Sequence, residues 1–455
     1  MIPRHLEPTL LKAARRYPVV SLTGPRQSGK TTLVRQAFPG HQYVSLEVPD
    51  QRELALSDPK SFLGQFGGKV ILGEVQRAPG LFAYIQAIVD ERPEAGQFIL
   101  TASQDFLLPE QVSRTLADRW ARLFLLPLSR TELAREPMTD LAAVGESVCV
   151  AASRVAGVPP ASLAVSSSAF SSSAVAPASP LSPEQQQQQK QRQDADKMSA
   201  THAGETPASR PARDLFETLF AGGYPRIFDQ GLDPRDWLRE YYQSYIQKDV
   251  RDILNVDDLE AFGRFLRLCA GRCGQLLNLS SLGADAGVTH TTAKRWLSVL
   301  EASFLVYLLR PHRASFGKRL VRSPKLYFLD SGLLCYLLRV RDPQDLRLHA
   351  SRGAVFESWV VSEAVKNFVH RGLEPDVYFW RDSADHEIDL VIDRDREIVP
   401  VEARSGETFA ADFLDGIQYW RRLTGRNDHP AALVYGGEDS YMREGAAVMS
   451  WKTWG

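Results

Sequence analysis

Short apolar runs at Val19–Leu22, Tyr43–Leu46, Val70–Leu72, Phe98–Leu100 and Leu123–Leu126 punctuate the first third of the chain. Helical signals fill the gaps, as in Phe82–Val89, where bulky residues repeat at the spacing of one helix face. Strand-length runs alternating with helices predict an α/β domain of parallel strands covered by helices. A second α/β pattern closes the chain. Ala354–Phe368 reads as a helix, and Val377–Trp380, Glu387–Ile392 and Ile398–Val401 read as strands. The region between them is helical. Tyr241–Ile246 begins a helix expected to run past Asp249 and Arg251. Leu279–Leu297 has the form of a helix-turn-helix, with Gly287 in the turn, Thr289 as cap, and Leu297 and Leu300 facing inward.

One stretch breaks the pattern. From about Pro137 to Arg213, Ser166–Ser168, Ser171–Ser173 and Gln185–Gln189 sit among Ala and Pro with few bulky residues. Such a segment cannot bury enough apolar surface to offset its ordering entropy, so a disordered insert is expected, either a plain linker or a partner-binding segment. Four parts follow: a nucleotide-binding α/β domain over 1–136, the insert over 137–213, a helical and winged-helix-like module over 214–345, and an α/β domain over 346–455.

Composition narrows the class only slightly. Lys plus Arg number 54 and Asp plus Glu 55, so total charge announces no nucleic-acid partner. The four cysteines, Cys149, Cys269, Cys273 and Cys335, include one i,i+4 pair and no following histidine pair, which argues against zinc and for a reduced, cytoplasmic setting. Met1–Tyr17 is too charged for a secretory leader, and no apolar run is long enough to span a membrane.

The chemistry begins after the first strand. Gly24-Pro25-Arg26-Gln27-Ser28-Gly29-Lys30-Thr31, followed by Thr32, is a complete G-x-x-x-x-G-K-[ST] phosphate loop between an apolar run and a helical one. The glycines let consecutive amides face a polyphosphate, and the helix N-terminus adds a favourable dipole. Lys30 is expected at the β- and γ-phosphates and the Thr31 hydroxyl at Mg²⁺. ATP and Mg²⁺ are the cofactors this implies.

A second strand, Val70–Leu72, leads to Gly73-Glu74-Val75-Gln76-Arg77. Glu74 stands where a water-activating carboxylate belongs. Gly73 stands where a metal-shell aspartate is expected and offers no ligand. Restoring Gly73→Asp is therefore expected to raise hydrolysis. Ser103 or Gln104, after the fourth element, is a candidate γ-phosphate sensor. Arg119 is a candidate charge stabiliser or an ordinary surface ion pair.

The order of these pieces resembles the bacterial and archaeal AAA-type ATP-binding proteins that carry a C-terminal domain of unknown function, DUF4143. The resemblance rests on Glu74-Val75-Gln76-Arg77, Leu100-Thr101-Ala102-Ser103, Gly222-Gly223-Tyr224-Pro225 and Lys248-Asp249-Val250-Arg251-Asp252. It also rests on Ser323–Gly332 and Gly353-Ala354-Val355-Phe356-Glu357. It covers nearly everything outside the insert, and the chain departs from the family pattern at Gly73.

The last domain carries Glu357, Asp389 and Glu402-Ala403-Arg404. These are similar to a restriction-endonuclease-like constellation, in which carboxylates on adjacent strands hold Mg²⁺ and a lysine positions water. Glu402 and Arg404 project to one face of a strand, and Glu387 and Asp389 share a face of its neighbour. Arg404 stands in the lysine position and stays protonated, so an inactive nuclease-like fold is the favoured expectation. Arg310, Arg313, Lys318, Arg319, Arg322 and Lys325, with His312 and no acid among them, form a basic run suited to a DNA backbone or to a solvated hairpin. The sequence thus predicts an ATP-binding AAA-like protein, a weak ATPase whose nucleotide state alters how its C-terminal half engages DNA or a partner. A non-hydrolysing nucleotide-dependent scaffold and an ATP-gated nuclease are the alternatives.

Overall fold

The computed structural model describes residues 2–103, 119–138, 141, 213–245, 258–313, 321–394, 397–425 and 429–455. The expected insert lies almost wholly outside them, as do Gln104, Lys248–Asp252, Lys318 and Arg319. The described elements fall in one unit, Met1–Val158 with Leu215–Gly455.

The N-terminal sheet has five strands, β1 (Val19–Thr23), β2 (Gln42–Ser45), β3 (Val70–Gly73), β4 (Phe98–Ala102) and β5 (Trp120–Phe124), in the order β2-β3-β4-β1-β5. All pairings are parallel. Both faces of the central strands β1, β3 and β4 are buried, which explains why they read as continuous apolar runs rather than alternating ones, while the edge strands β2 and β5 carry exposed residues. One face packs on α1 (Glu7–Ala14) and α2 (Lys30–Ala37) through Leu10, Leu33, Val34, Leu22 and Ile71. The other packs on α3 (Leu81–Glu91) through Phe82, Ile85, Val89 and Leu100. In register, Thr23 lies beside Ala102 and Phe124, and Gly73 beside Ser45 and Thr101. Gly24, Glu74 and Ser103 therefore leave the sheet at the same edge, the end where open α/β sheets bind ligands.

The fifth strand begins three residues earlier than its apolar run suggests. Leu125, Leu126 and Leu128 are apolar because they are buried beyond the strand, the last two in a core shared with the helical middle. That middle includes α4 (Pro225–Asp229), α5 (Leu279–Ala286) and α6 (His290–Ala302). Gly287 at φ 76° turns α5 into α6, and the Thr289 hydroxyl accepts from the Thr292 amide. This is the expected helix-turn-helix pairing. It is followed by an antiparallel pair, β6 (Val306–Leu309) and β7 (Lys325–Phe328).

Two distant motifs meet in this core. Asp330 caps α7 (Ser331–Leu337) through the Leu333 amide and also accepts the Gly223 N–H at 2.7 Å. Gly223 approaches so closely that a Cβ there would lie 2.3 Å from the Leu128 carbonyl oxygen.

The C-terminal part has α8 (Arg352–Val369), α9 (Asp415–Thr424) and six strands: β8 (Val377–Arg381), β9 (Glu387–Arg394), β10 (Glu397–Arg404), β11 (Ala432–Tyr435), β12 (Tyr441–Arg443) and β13 (Ala446–Ser450). Their order is β12-β13-β11-β10-β9-β8, a mixed sheet. Sequence periodicity missed the last three strands, whose short apolar runs lie among glycines. Among the described residues no helix is long and apolar enough to cross a membrane.

Candidate functional site

The phosphate loop follows β1 without slack. A Cβ on Gly24 would sit 2.1 Å from the Leu125 carbonyl oxygen, so no larger residue fits beside β5. Gly29, at φ 95°, turns the chain into α2 in a conformation that disfavours side chains. No side chain caps α2, which leaves its first-turn amides for a ligand. Lys30 is buried and folds back over the loop, donating to the carbonyls of Gly24 at 2.9 Å and Pro25 at 2.8 Å. The Ser28 hydroxyl is buried with no hydrogen-bond partner in the protein. Arg4 clamps the loop from behind, donating to the Ser28 carbonyl at 2.6 Å, the Leu126 carbonyl at 2.7 Å and Glu132 at 3.0 Å.

A cavity of about 490 Å³ opens over this loop. Arg26, Gln27, Gly29, Lys30, Thr31 and Thr32 line it from the loop, and Glu74 from the end of β3. Pro225 and Arg226 of α4 line it from the helical middle, so two parts of the chain share the site. Free amides, a buried lysine, an orphaned serine hydroxyl and a nearby carboxylate fit a nucleoside triphosphate and its cation.

Glu74 sits at φ 56°, ψ 46°, a left-handed conformation unusual for its type. Its Oε2 accepts from Ser103 at 2.9 Å and from Gln76 at 2.6 Å, and Gln76 also donates to Ser103 at 2.9 Å. The structure thus brings Glu74 and Ser103 together. It separates Arg119, which precedes β5 at the opposite edge of the sheet, a strand length of ~13 Å away, and pairs with Asp90 of α3. The ion-pair alternative describes Arg119 in this chain. Gly73 also differs from expectation: a Cβ there would lie 2.7 Å from the Tyr43 hydroxyl. Gly73→Asp therefore cannot enter without moving Tyr43.

Family models match three segments: an AAA domain at residues 16–134, a domain of unknown function (DUF8612) at 212–344 and DUF4143 at 352–454. The chain thus carries an AAA domain and a C-terminal DUF4143 domain. Curated relatives include uncharacterized proteins of Mycobacterium tuberculosis and Mycobacterium bovis, each 26% identical over 387 residues, covering 84% of this chain and 69% of the relative. Similar solved structures include a Walker-type ATPase of Pyrococcus abyssi, 11% identical with a TM-score of 0.38, covering 73% of this chain and 94% of that one. Another is NtrX of Brucella abortus in complex with ATP, 14% identical with a TM-score of 0.23, covering 65% of this chain and 66% of that one.

The DUF4143 domain holds the acidic cluster. Carboxylate oxygens of Glu357 on α8 and of Glu387 and Asp389 on β9 approach one another within 4.8 Å, a spacing that could hold a cation. The protein fills the cluster with its own cation. Lys325 of β7, expected in the basic surface run, is buried here instead, 3.1 Å from Glu357 and in contact with Glu387. The hairpin that begins among arginines ends inside the fold, because β7 pairs with β6 and packs on α8. Arg404 bonds Asp389 and Glu402, each at 2.7 Å. Glu402 does not join the three-acid group, and its second oxygen is buried tightly against Gly416 of α9.

The charges in this cluster are matched. Burial, then the neighbouring Asp389 charge, raises Glu357 to about 7, against the pull of Lys325. Burial, with the Asp389 charge, raises Glu402 well above the carboxylate range. Burial opposes ionisation of Asp389 as well, yet Arg404 and Lys325 hold its value low.

Of the remaining basic run, Arg310, Arg313 and Arg322 are exposed along a groove with Tyr307 and Tyr378. His312 of that groove bonds Asp393 at 2.9 Å.

Sequence reasoning missed the connection between the two ends of the protein. Arg4 pairs with Glu132, which caps the short helix Arg130–Ala134. The Arg130 amide donates to Glu363 of α8 at 2.8 Å, and Lys366 of α8 bonds Glu363 at 2.9 Å and the Leu128 carbonyl at 3.2 Å. The same helix carries Glu357 toward its other end. The unusual features in sequence were charges at Glu363 and Lys366 within the apolar C-terminal half of the helix.

Proposed function

We propose that the AAA domain binds ATP with Mg²⁺ and hydrolyses it slowly. The carrying observation is that Lys30, Thr31 and Glu74 line one cavity while Ser103 and Gln76 hold the Glu74 carboxylate. Lys30 exchanges its bonds to Gly24 and Pro25 for the β- and γ-phosphates as they enter. Amides of the loop and of the first turn of α2 bind the same oxygens. The Thr31 hydroxyl would hold the magnesium, which would offset phosphate charge when bound. Glu74 takes a proton from the water that attacks the γ-phosphorus, the bond to the β–γ bridging oxygen breaks, and ADP and phosphate leave. Slow turnover follows from Gly73, which supplies no carboxylate. The same glycine favours the second reading, a nucleotide-dependent scaffold that binds without hydrolysis.

Titration of the full chain with ATP tests the binding step. Lys30→Ala is expected to weaken affinity at least ~100-fold, the loss of a charge-assisted contact worth about 3 kcal/mol. Unchanged affinity would place the nucleotide elsewhere. Steady-state phosphate release by the wild type separates the slow enzyme from the scaffold.

The nucleotide state reaches the C-terminal half through Pro225 and Arg226 at the cavity and through the Arg4–Glu132 and Arg130–Glu363 contacts. DNA is the partner chemistry supported by the exposed Arg310, Arg313 and Arg322 beside two tyrosines. Affinity for duplex DNA should fall steeply with salt, and a flat response would remove this groove from consideration. Nuclease activity is not part of the proposal, because Lys325 and Arg404 already neutralise the acids that would hold a metal.

A further inference from the structure

Gly73 leaves a space at the end of β3, and the neighbouring strand fills it. Tyr43 on β2 stands level with Ile71 on β3 and lies on the α2 face of the sheet. Its side chain leans forward by two residues. The hydroxyl oxygen comes within 2.7 Å of the position a Gly73 Cβ would take, and two ring carbons come within 3.2 Å. The phenol therefore occupies the volume that an aspartate side chain at residue 73 would fill. The Arg35 guanidinium lies 5.3 Å from the centre of the ring. Arg35 is one helical turn beyond Thr31, on the same face of α2. The ring is thus held between the helix that carries the metal-binding hydroxyl and the strand end that lacks the acid.

We propose that the Tyr43 hydroxyl replaces the missing aspartate as the outer-shell partner of the cation bound with ATP. In phosphate-loop enzymes that aspartate supports the metal beside the loop Ser/Thr. A phenol oxygen can accept a hydrogen bond from metal-bound water and donate one to a phosphate oxygen or hydroxyl. It orients the metal shell by hydrogen bonding rather than by direct ligation. That accounts together for the glycine, the placement of Tyr43 and slow turnover. The inference rests on the proposed ATP site, and its test separates the two.

The test uses the full chain, ATP and Mn²⁺. ATP affinity is measured by calorimetry in EDTA, and Mn²⁺ affinity of the protein–ATP complex by electron paramagnetic resonance. Tyr43→Phe keeps the ring and removes the hydroxyl. It is expected to leave metal-free ATP binding unchanged and to weaken Mn²⁺ binding roughly 10-fold, the lower range for loss of an outer-shell partner. Gly73→Asp in a Tyr43→Ala background, where the ring no longer fills the space, should return Mn²⁺ affinity at least to the wild-type value. Unchanged Mn²⁺ affinity in Tyr43→Phe overturns the proposal. So does an equal loss of metal-free and metal-loaded binding, which would make Tyr43 a structural prop. Failure of the wild type to bind ATP in EDTA and in Mn²⁺ alike sinks the ATP site itself, and this inference with it.

Discussion

Glu74→Gln should keep ATP binding near the wild-type value and lower phosphate release by about 10²–10⁴-fold, the usual contribution of a positioned general base. The substitution is nearly isosteric. The glutamine oxygen can still accept from Ser103 or Gln76, the two donors that hold Glu74. What disappears is the capacity to take a proton from water. The left-handed backbone at Glu74, φ 56°, is retained because glutamine shares its backbone preferences. Saturating Mg²⁺ and ATP with a phosphate-release assay measure the rate, and calorimetry measures binding. An unchanged rate would show that another group activates the water. A joint loss of binding and rate would show that the carboxylate chiefly supports the loop.

Arg4→Met should destabilise the protein by about 3–5 kcal/mol at pH 7, because it strands a buried carboxylate. Burial opposes the charge on Glu132, and Arg4, together with the neighbouring His370 and the Ser129 amide, outweighs that cost and holds the carboxyl at about 2. The same arginine donates to the Ser28 and Leu126 carbonyls, so the phosphate loop should loosen as well. Acid should act on this network in two windows. Burial lowers His370 to about 3, and neither ring nitrogen has a hydrogen-bond partner in the protein. Its Nδ1 lies 3.6 Å from Glu132, but an imidazole held neutral there makes a contact rather than an ion pair. The unfolded chain protonates this histidine first, so stability falls as pH drops from about 6.5 toward 3. The Glu132 contribution is present above about 4.5 and is lost toward 2. Chemical denaturation at pH 7.5 and 5 reads the first window. His370→Gln should flatten the slope between those values. An unchanged slope would assign the pH dependence to other groups.

The difference between the two α/β domains shows what a linear pattern carries. The three central N-terminal strands were legible as continuous apolar runs, because both their faces are buried in a parallel sheet. The last three strands of the DUF4143 domain were not, because their short runs border glycine turns. Asp389, Glu402 and Arg404 were legible by strand alternation, and Glu357 by its motif on the preceding helix. Lys325 was not legible as their partner, since it lies 32 residues from Glu357 and 62 from Glu387. Ser103 could be matched to Glu74 because both end strands. Arg119 could not be placed relative to Glu74 until the direction of β5 put it at the far edge.

The sequence by itself determined the phosphate loop and the polyphosphate chemistry it suits. That chemistry uses consecutive backbone amides, and consecutive residues are what a sequence displays. It also determined the helix-turn-helix turn at Gly287 and the absence of a carboxylate at Gly73. Only the tertiary structure decided that Tyr43 fills the Gly73 space, that Lys325 is a buried counter-charge, and that Arg4 ties the loop to the helix Arg130–Ala134. Those contacts depend on strand order and helix packing, which bring together groups that no spacing along the chain relates.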